Sequence, residues 1–525
     1  MRTRLLPTTV MRSVLSAFAG DRRGVILPYA TVMLGVIVGF GVLALDGGRI
    51  RSLQTQLQAG ADALALAGAA ELNRAPGARA RATAAINSLV QNGVAGLGGG
   101  SVAVSSIVFY RTLPAASTSF TSGTVAADDG HARFVAVTLA PVTLPTILPA
   151  SFVSAGSGNT ISTGAAAVAG FDQVACQFTP MFICNPFETS GMTYDQATAA
   201  LINSTPNRLV ALQGAGNAQY APGNFGWISP PVNNTTNLCG SGNTVVQAAA
   251  QTSPATCFRN TAINTQPGNI AASDEGLNTR FDLYNGSFQN CRGNANYAPA
   301  PNVRKGFTPS GGNGGGNGNG NANGNGNGNA NGNNNAACNP SQPSPYPNGT
   351  NAGTSGAAGF PLDSNMTSPS VALGNGTWNC LGYWTIAHPT GTAGAGKAPA
   401  GCTSAATAIG RYGVYMYEIN NGFVNDASSN GERGTPACYN GTASAATNPN
   451  RRVLNVAVLN CLNLANEGYS LNGQASNLPV AALANFFLTL PVTSSQGPIY
   501  GEYIGIAQPG DPKSGSLYYQ VQLYR

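Results

Sequence analysis

The residues able to do chemistry are few and scattered. His131 and His388 are the only two histidines in the chain. A Ser-His-Asp relay needs a nucleophile, a base and an orienting acid brought together from separate segments. Ser190-Gly191 does not make a nucleophile elbow. Glu188, Asp195, Glu275 and Asp282 could supply a general acid and a general base, but nothing in their spacing singles out a pair. Three lysines in 525 residues argue against a lysine-dependent site. Trp227, Trp378, Trp384 and Tyr383 could line a glycan site, although burial in a core is the commoner fate of large aromatics. The expectation is a non-enzymatic protein without cofactor.

The ten cysteines are Cys176, Cys184, Cys239, Cys257, Cys291, Cys338, Cys380, Cys402, Cys438 and Cys461. None forms CxxC, and none stands at metal-ligand spacing from a histidine, so no metal site is expected. An even number confined to the later part of the chain reads as up to five disulfides formed in an oxidising compartment. The spacing leaves their connectivity open.

The element that positions all of this is Val25 to Leu45, VILPYATVMLGVIVGFGVLAL, which holds no charge. A helix of that length spans about 30 Å, the hydrocarbon thickness of a bilayer. Arg2, Arg4, Arg12, Arg22 and Arg23 precede it, against Asp21; Asp46, Arg49 and Arg51 follow. The stronger basic flank stays in the cytoplasm, so the rest of the chain is expected to be translocated. A cleaved signal peptide is the competing reading, but the apolar run is too long for one and no small-x-small site ends it. Gly35 and Gly39 form a GxxxG spacing that lets two membrane helices meet closely.

After a Gly47-Gly48-Arg49 turn, a helical pattern runs from Arg49 to Leu72. Ile50, Leu53, Leu57, Leu64 and Gly68 share one stripe. Leu53, Leu57 and Leu64 are candidate docking positions, either for another helix or for the chain's own domain. Pro76-Gly77 ends this helix, and a second is expected from Ala78 to Val90. Ser101–Arg111 and Arg133–Ala140 read as strands, and Ile161–Phe171 closes this small α+β unit. Gly311–Asn335 has no apolar side chain larger than Ala and is expected to be a disordered tract. Val453–Cys461 is a further strand signal. Pro479–Pro491 is helix or buried strand, and Ile499–Ala507 with Leu517–Tyr524 reads as a closing pair.

The division that follows is a basic cytoplasmic segment (1–24), a transmembrane helix (25–45) and periplasmic helices (46–92). Then come a small α+β domain (93–175), a cysteine-containing region (176–310), the Gly/Asn linker (311–335) and a β-rich domain (336–525). The fold class is α+β, with a disulfide-rich, β-leaning body. Charged residues are 8% of the chain, the formal net charge is +6 and glycine reaches 68. No basic patch with interleaved aromatics is present, so nucleic-acid binding is not expected.

The stretch from Asp21 to Leu72 resembles the N-terminal region of TadG-like proteins of the Flp (tight adherence) pilus assembly system. The resemblance rests on Arg23-Gly24, the apolar span, Asp46, and Arg51, Leu53, Gln54, Gln58, Ala59, Ala61, Asp62, Ala63, Leu66, Ala67, Gly68 and Ala69. It is similar in looser form to about Gly170. Phe182–Pro186, Pro222–Trp227, Gly276–Asp282 and Arg452–Leu454 resemble longer members. Tyr29, preceded by Pro28, stands where pilins of this system carry Glu, so processing at Gly24-Val25 is not implied. Many TadG-like proteins carry a DxSxS metal site; the nearest match here, Asp426-Ala427-Ser428-Ser429-Asn430, ends in Asn and reads as a turn.

The resemblance implies a bacterial inner-membrane protein, single-pass, with its bulk in the periplasm. It implies other pilus assembly proteins as partners, and Gly35 with Gly39 allows self-association. The alternative is a surface or periplasmic adhesin unrelated to pilus biogenesis.

Overall fold

The computed structural model describes residues 26–91, 102–113, 123–147, 159–214, 220–229, 239, 243–254, 257–259, 263–266, 273–306, 359–367, 371–429, 431–471, 474–492 and 498–524. The expected Gly311–Asn335 tract lies outside them, as do Val25 and Cys338. Helix α1 (Ile26–Ala70) runs 45 residues without a break, about 67 Å at 1.5 Å per residue. It passes straight through Gly47-Gly48, where a turn was expected. No atom outside the local backbone comes within 4 Å of a Cβ built at either glycine, so nothing bends the helix there. Beyond Arg49 one face turns inward: Leu53, Leu57, Ala61, Leu64, Ala65 and Ala69 are buried at the spacing of a helical stripe. Arg74 (φ 64°) and Gly77 (φ 81°) then reverse the chain. Helix α2 (Ala78–Gln91) returns along α1 with Ala78, Ala82 and Ile86 buried. A Cβ at Gly68 would come within 2.7 Å of Ile86 Cδ1. The small residues of α1 therefore serve close approach to α2.

Both helices cover a first sheet of β1 (Val104–Thr112), β2 (Thr124–Val125), β3 (Phe134–Leu139) and β6 (Ala166–Cys176). A separate two-stranded ribbon, β4 (Val142–Pro145) and β5 (Thr160–Thr163), stands beside it. β6 is the centre. Its first half pairs β3, its end pairs β10 (Cys257–Arg259), and its other edge pairs β15 (Ser516–Leu523) from Ala169 to Cys176. The expected closing pair is thus corrected: Leu517–Tyr524 joins the first sheet, far back in sequence.

The second sheet draws on both sides of residues 311–335. It runs β11 (Thr265–Gln266), β9 (Asn224–Ile228), β7 (Met181–Cys184), β12 (Val453–Leu459), β13 (Ala482–Leu488), β14 (Ile499–Ile506), β8 (Leu209–Gly214). β8 and β9 also pair, at Gln213↔Asn224 and Gly214↔Phe225, which closes a six-stranded barrel. Alternate residues such as Ile183, Leu212, Leu454, Val456, Phe486 and Tyr503 form one core. Their neighbours Phe182, Ala457, Leu459 and Leu483, on the other face, belong to another, and Phe487 to a third. Burial on both faces gives the near-continuous apolar runs of β12 and β13.

Short helices cover the barrel: α3 (Tyr194–Ile202), α4 (Thr244–Ala250), α5 (Ser273–Asn278), α6 (Cys380–Ala387), α7 (Arg411–Asn420) and α8 (Cys461–Asn466). Thr193 and Gln196 make a reciprocal capping box at the start of α3, satisfying two free N–H groups of the first turn. Among the described residues four disulfides pair Cys176 with Cys257, Cys184 with Cys461, Cys239 with Cys291 and Cys380 with Cys402. Cys438 is also disulfide-bonded, and no described cysteine is free.

Candidate functional site

From Tyr29 to Leu45 α1 presents most of its apolar side chains to no other described part of the chain. Tyr29, Val32, Leu34, Ile37, Phe40, Leu43 and Leu45 are exposed. Among the described residues this is the one helix long and apolar enough to cross a membrane. Gly35 and Gly39 have no atom within 4 Å of a built Cβ, so their groove is open to a second helix.

At the foot of this segment the first charged side chains turn sideways. The Ile147 N–H donates to both Asp46 carboxylate oxygens, at 3.1 and 3.0 Å. Arg49 pairs with Asp46 at 3.5 Å and donates to the Pro145 carbonyl at 3.4 Å. One turn further on, Leu53, Leu57 and Leu64 enter the core formed with Ile86, Val135, Val137, Ala167 and Ala169. Of the two alternatives for these leucines, another helix or the chain's own domain, the structure shows the chain's own domain. The chain's own sheet occupies them, because the stripe faces β3 and β6 rather than solvent.

The first unit is clamped to the barrel unit by the loop before β3. Asp129 accepts from the Gly77 and Arg79 N–H groups and from Arg79 Nε. Asp195, at the start of α3, accepts from the Asp129 and Gly130 N–H groups, both at 3.0 Å. His131 Nδ1 lies 2.8 Å from Asp128, and Nε2 lies 3.4 Å from Glu467, which also pairs Arg111 at 3.2 Å. Burial raises the Asp128 and Asp129 carboxyls, but the His131 bond to the first and the Arg79 and Gly77 bonds to the second outweigh it. Both titrate below the usual carboxylate value.

His388 is wholly buried. Its Nδ1 lies 2.7 Å from Asp426 and its Nε2 lies 3.0 Å from Glu418. Glu418 also accepts from Tyr383 at 2.8 Å. Burial raises the Glu418 carboxyl, yet the His388 bond and the Arg304 charge hold it below its ordinary value. This buried group joins α6, α7 and the loop at Asp426.

The remaining expected site residues are dispersed. Glu188 accepts from the Leu462 and Asn463 N–H groups, capping α8. Glu275 accepts from Ser287 N–H. Asp282 accepts from three successive N–H groups, Ala437 to Tyr439, and burial still raises its carboxyl. Each of the four carboxylates is committed to backbone N–H groups. Ser190 is exposed in a turn with Gly191 at φ 88°. Trp227, Trp378, Trp384 and Tyr383 are buried. Ser428 sits in a turn closed by Gly431 N–H, and Asp426 is spent on His388 and the Ala393 and Gly394 N–H groups.

Sequence reasoning missed the buried arginines. Arg411 pairs with Asp363 at 2.6 Å and Glu502 at 3.1 Å, all three side chains fully buried. Among the described residues Arg452 has no carboxylate partner within ion-pair distance. It donates to the carbonyls of Leu488, Thr489, Asn302 and Arg304 and lies over the rings of Phe281, Phe487 and Tyr415. The available signal was scarcity: in a chain with 8% charged residues, an arginine between an Asn-rich loop and an apolar strand is a candidate for burial.

No curated protein and no solved structure matches the chain. A family model described as "Putative Flp pilus-assembly TadE/G-like" matches residues 24–71, and that stretch ends within one residue of α1. The family match therefore falls on the membrane-length helix and its buried continuation: over residues 24–71 the chain is similar to the TadE/G-like family of Flp pilus assembly.

Proposed function

We propose that the protein is a non-enzymatic, inner-membrane-anchored component of Flp pilus assembly or secretion whose body lies in the periplasm. The observation that carries this reading is the coincidence of the TadE/G-like segment with a helix that is apolar and exposed in its first half. The arginines before the span favour a cytoplasmic N-terminus. The disulfides favour an oxidising compartment for everything after it. A structural role is supported by the site chemistry, since both histidines and the carboxylates of Glu188, Asp195, Glu275 and Asp282 are committed to internal bonds. Burial of the tryptophans weakens the adhesin alternative. The partners are other pilus assembly proteins, with the Gly35/Gly39 groove available for self-association.

A C-terminal alkaline phosphatase fusion should be active and a cytoplasmic reporter at the same position silent. The reverse would overturn the topology. Deleting the gene in a piliated strain should abolish pili, and the full chain should restore them; normal piliation of the deletion strain would overturn the pilus role.

A further inference from the structure

The β4–β5 ribbon is the least explained part of the first unit. It lies off the main sheet, and its described residues 142–147 and 159–163 carry no charge. Ile147 is 51% exposed and Ile161 is 38% exposed. Exposed isoleucines scattered singly are ordinary. Each reaches Asp46, at the level where the apolar half of α1 ends. The two bonds from Ile147 N–H to Asp46 fix one. The other lines a shallow cavity with Asp46, Arg49, Ile50 and Leu144, and it is paired with Leu144 across the ribbon.

Asp46 to Ile50 spans about 6 Å along the helix. The polar layer on each side of the hydrocarbon is about 5–8 Å deep. With α1 placed so that Leu45 is the last residue in hydrocarbon, the ribbon falls inside that layer. Resting on the anchor reading above, we infer that the β4–β5 ribbon lies on the phospholipid surface around α1, with Ile147 and Ile161 at the headgroup–acyl boundary. Uncharged Thr, Ser, Pro and Ile side chains suit that boundary. Arg49, 44% exposed beside the ribbon, supplies a cation toward the phosphate layer. A body on one helix can precess about it; a second contact fixes the face it turns to the membrane.

The test places a fluorophore at each isoleucine of the full-length protein, as Ile147→Trp and Ile161→Trp, in phosphatidylcholine nanodiscs. The acyl chains are brominated either near the headgroup or near their ends. The native tryptophans are buried, and their emission is subtracted with the unsubstituted protein. Val36→Trp reports separately on α1. The expected result is that shallow bromines at least halve the Ile147→Trp and Ile161→Trp emission and deep bromines do not, with the order reversed for Val36→Trp. Quenching at Val36→Trp with none at either isoleucine position would overturn the ribbon contact and leave the anchor standing. No quenching at any of the three would overturn both.

Discussion

Arg452 illustrates the use of charge in a chain that has little of it. Desolvation pulls its guanidinium down to about 10, so it remains a cation at neutral pH, and four carbonyls and the surrounding aromatic rings stand in for a close counter-ion. Arg452→Met keeps much of the volume and removes the donors. Leaving several buried carbonyls unpaired should cost about 3–5 kcal/mol in denaturant unfolding. Arg452→Lys should recover only part of that, since one ammonium cannot reproduce the planar fork. Asp128 makes a different prediction. Its folded carboxyl titrates below the unfolded value of about 3.9, so its contribution is present above that pH and lost as pH falls through the lower folded value. Asp128→Asn should be less stable than the unsubstituted protein by about 1–2 kcal/mol near neutrality. That gap should begin to narrow below about pH 4 and close once the pH is under the folded value; a gap that does not narrow in acid would show that His131 does not depend on the Asp128 charge.

At the scale of elements, the helix stripe was legible and its partner was not. Period gives the face that is buried: Leu53, Leu57 and Leu64 are all inside. Period cannot say what covers that face, and the strands that do, β3 and β6, come from more than sixty residues later. Leu57→Ala should therefore destabilise the first unit by about 2–5 kcal/mol, read as a lowered unfolding midpoint of purified protein without any partner present. An unchanged midpoint with lost assembly would return the leucine to a docking role. β12 was legible because burial on both faces makes a continuous apolar run. β7 and β9 were less so, as short pieces among Pro, Gly and Asn whose pairing partners are distant. The turn at Gly47-Gly48 was misjudged because glycine lowers helix propensity by about 1 kcal/mol, less than the continuing helix on either side supplies.

For the whole molecule, the chain is tied back on itself rather than strung as separate beads. The bond from Cys184 to Cys461 closes a separation of 277 residues at the place where β7 and β12 run parallel. More consequential is β15, which covers the second edge of β6 along eight paired positions. Tyr524 lies edge-on to Phe134, and Tyr519 lies against Phe171. The unit beneath the membrane helix is thus completed only when the C-terminal strand arrives. Deleting residues 512–525 leaves the barrel strands intact but strips β6 of half its ladder and exposes an unprotected edge. The expected outcome is faster hydrogen exchange and proteolysis within β1, β3 and β6, with the barrel amides of β12 and β13 little changed. If the truncated protein protects the first sheet as well as the full chain does, α1, α2 and the other five strands suffice, and the C-terminal strand is an addition rather than a closing element.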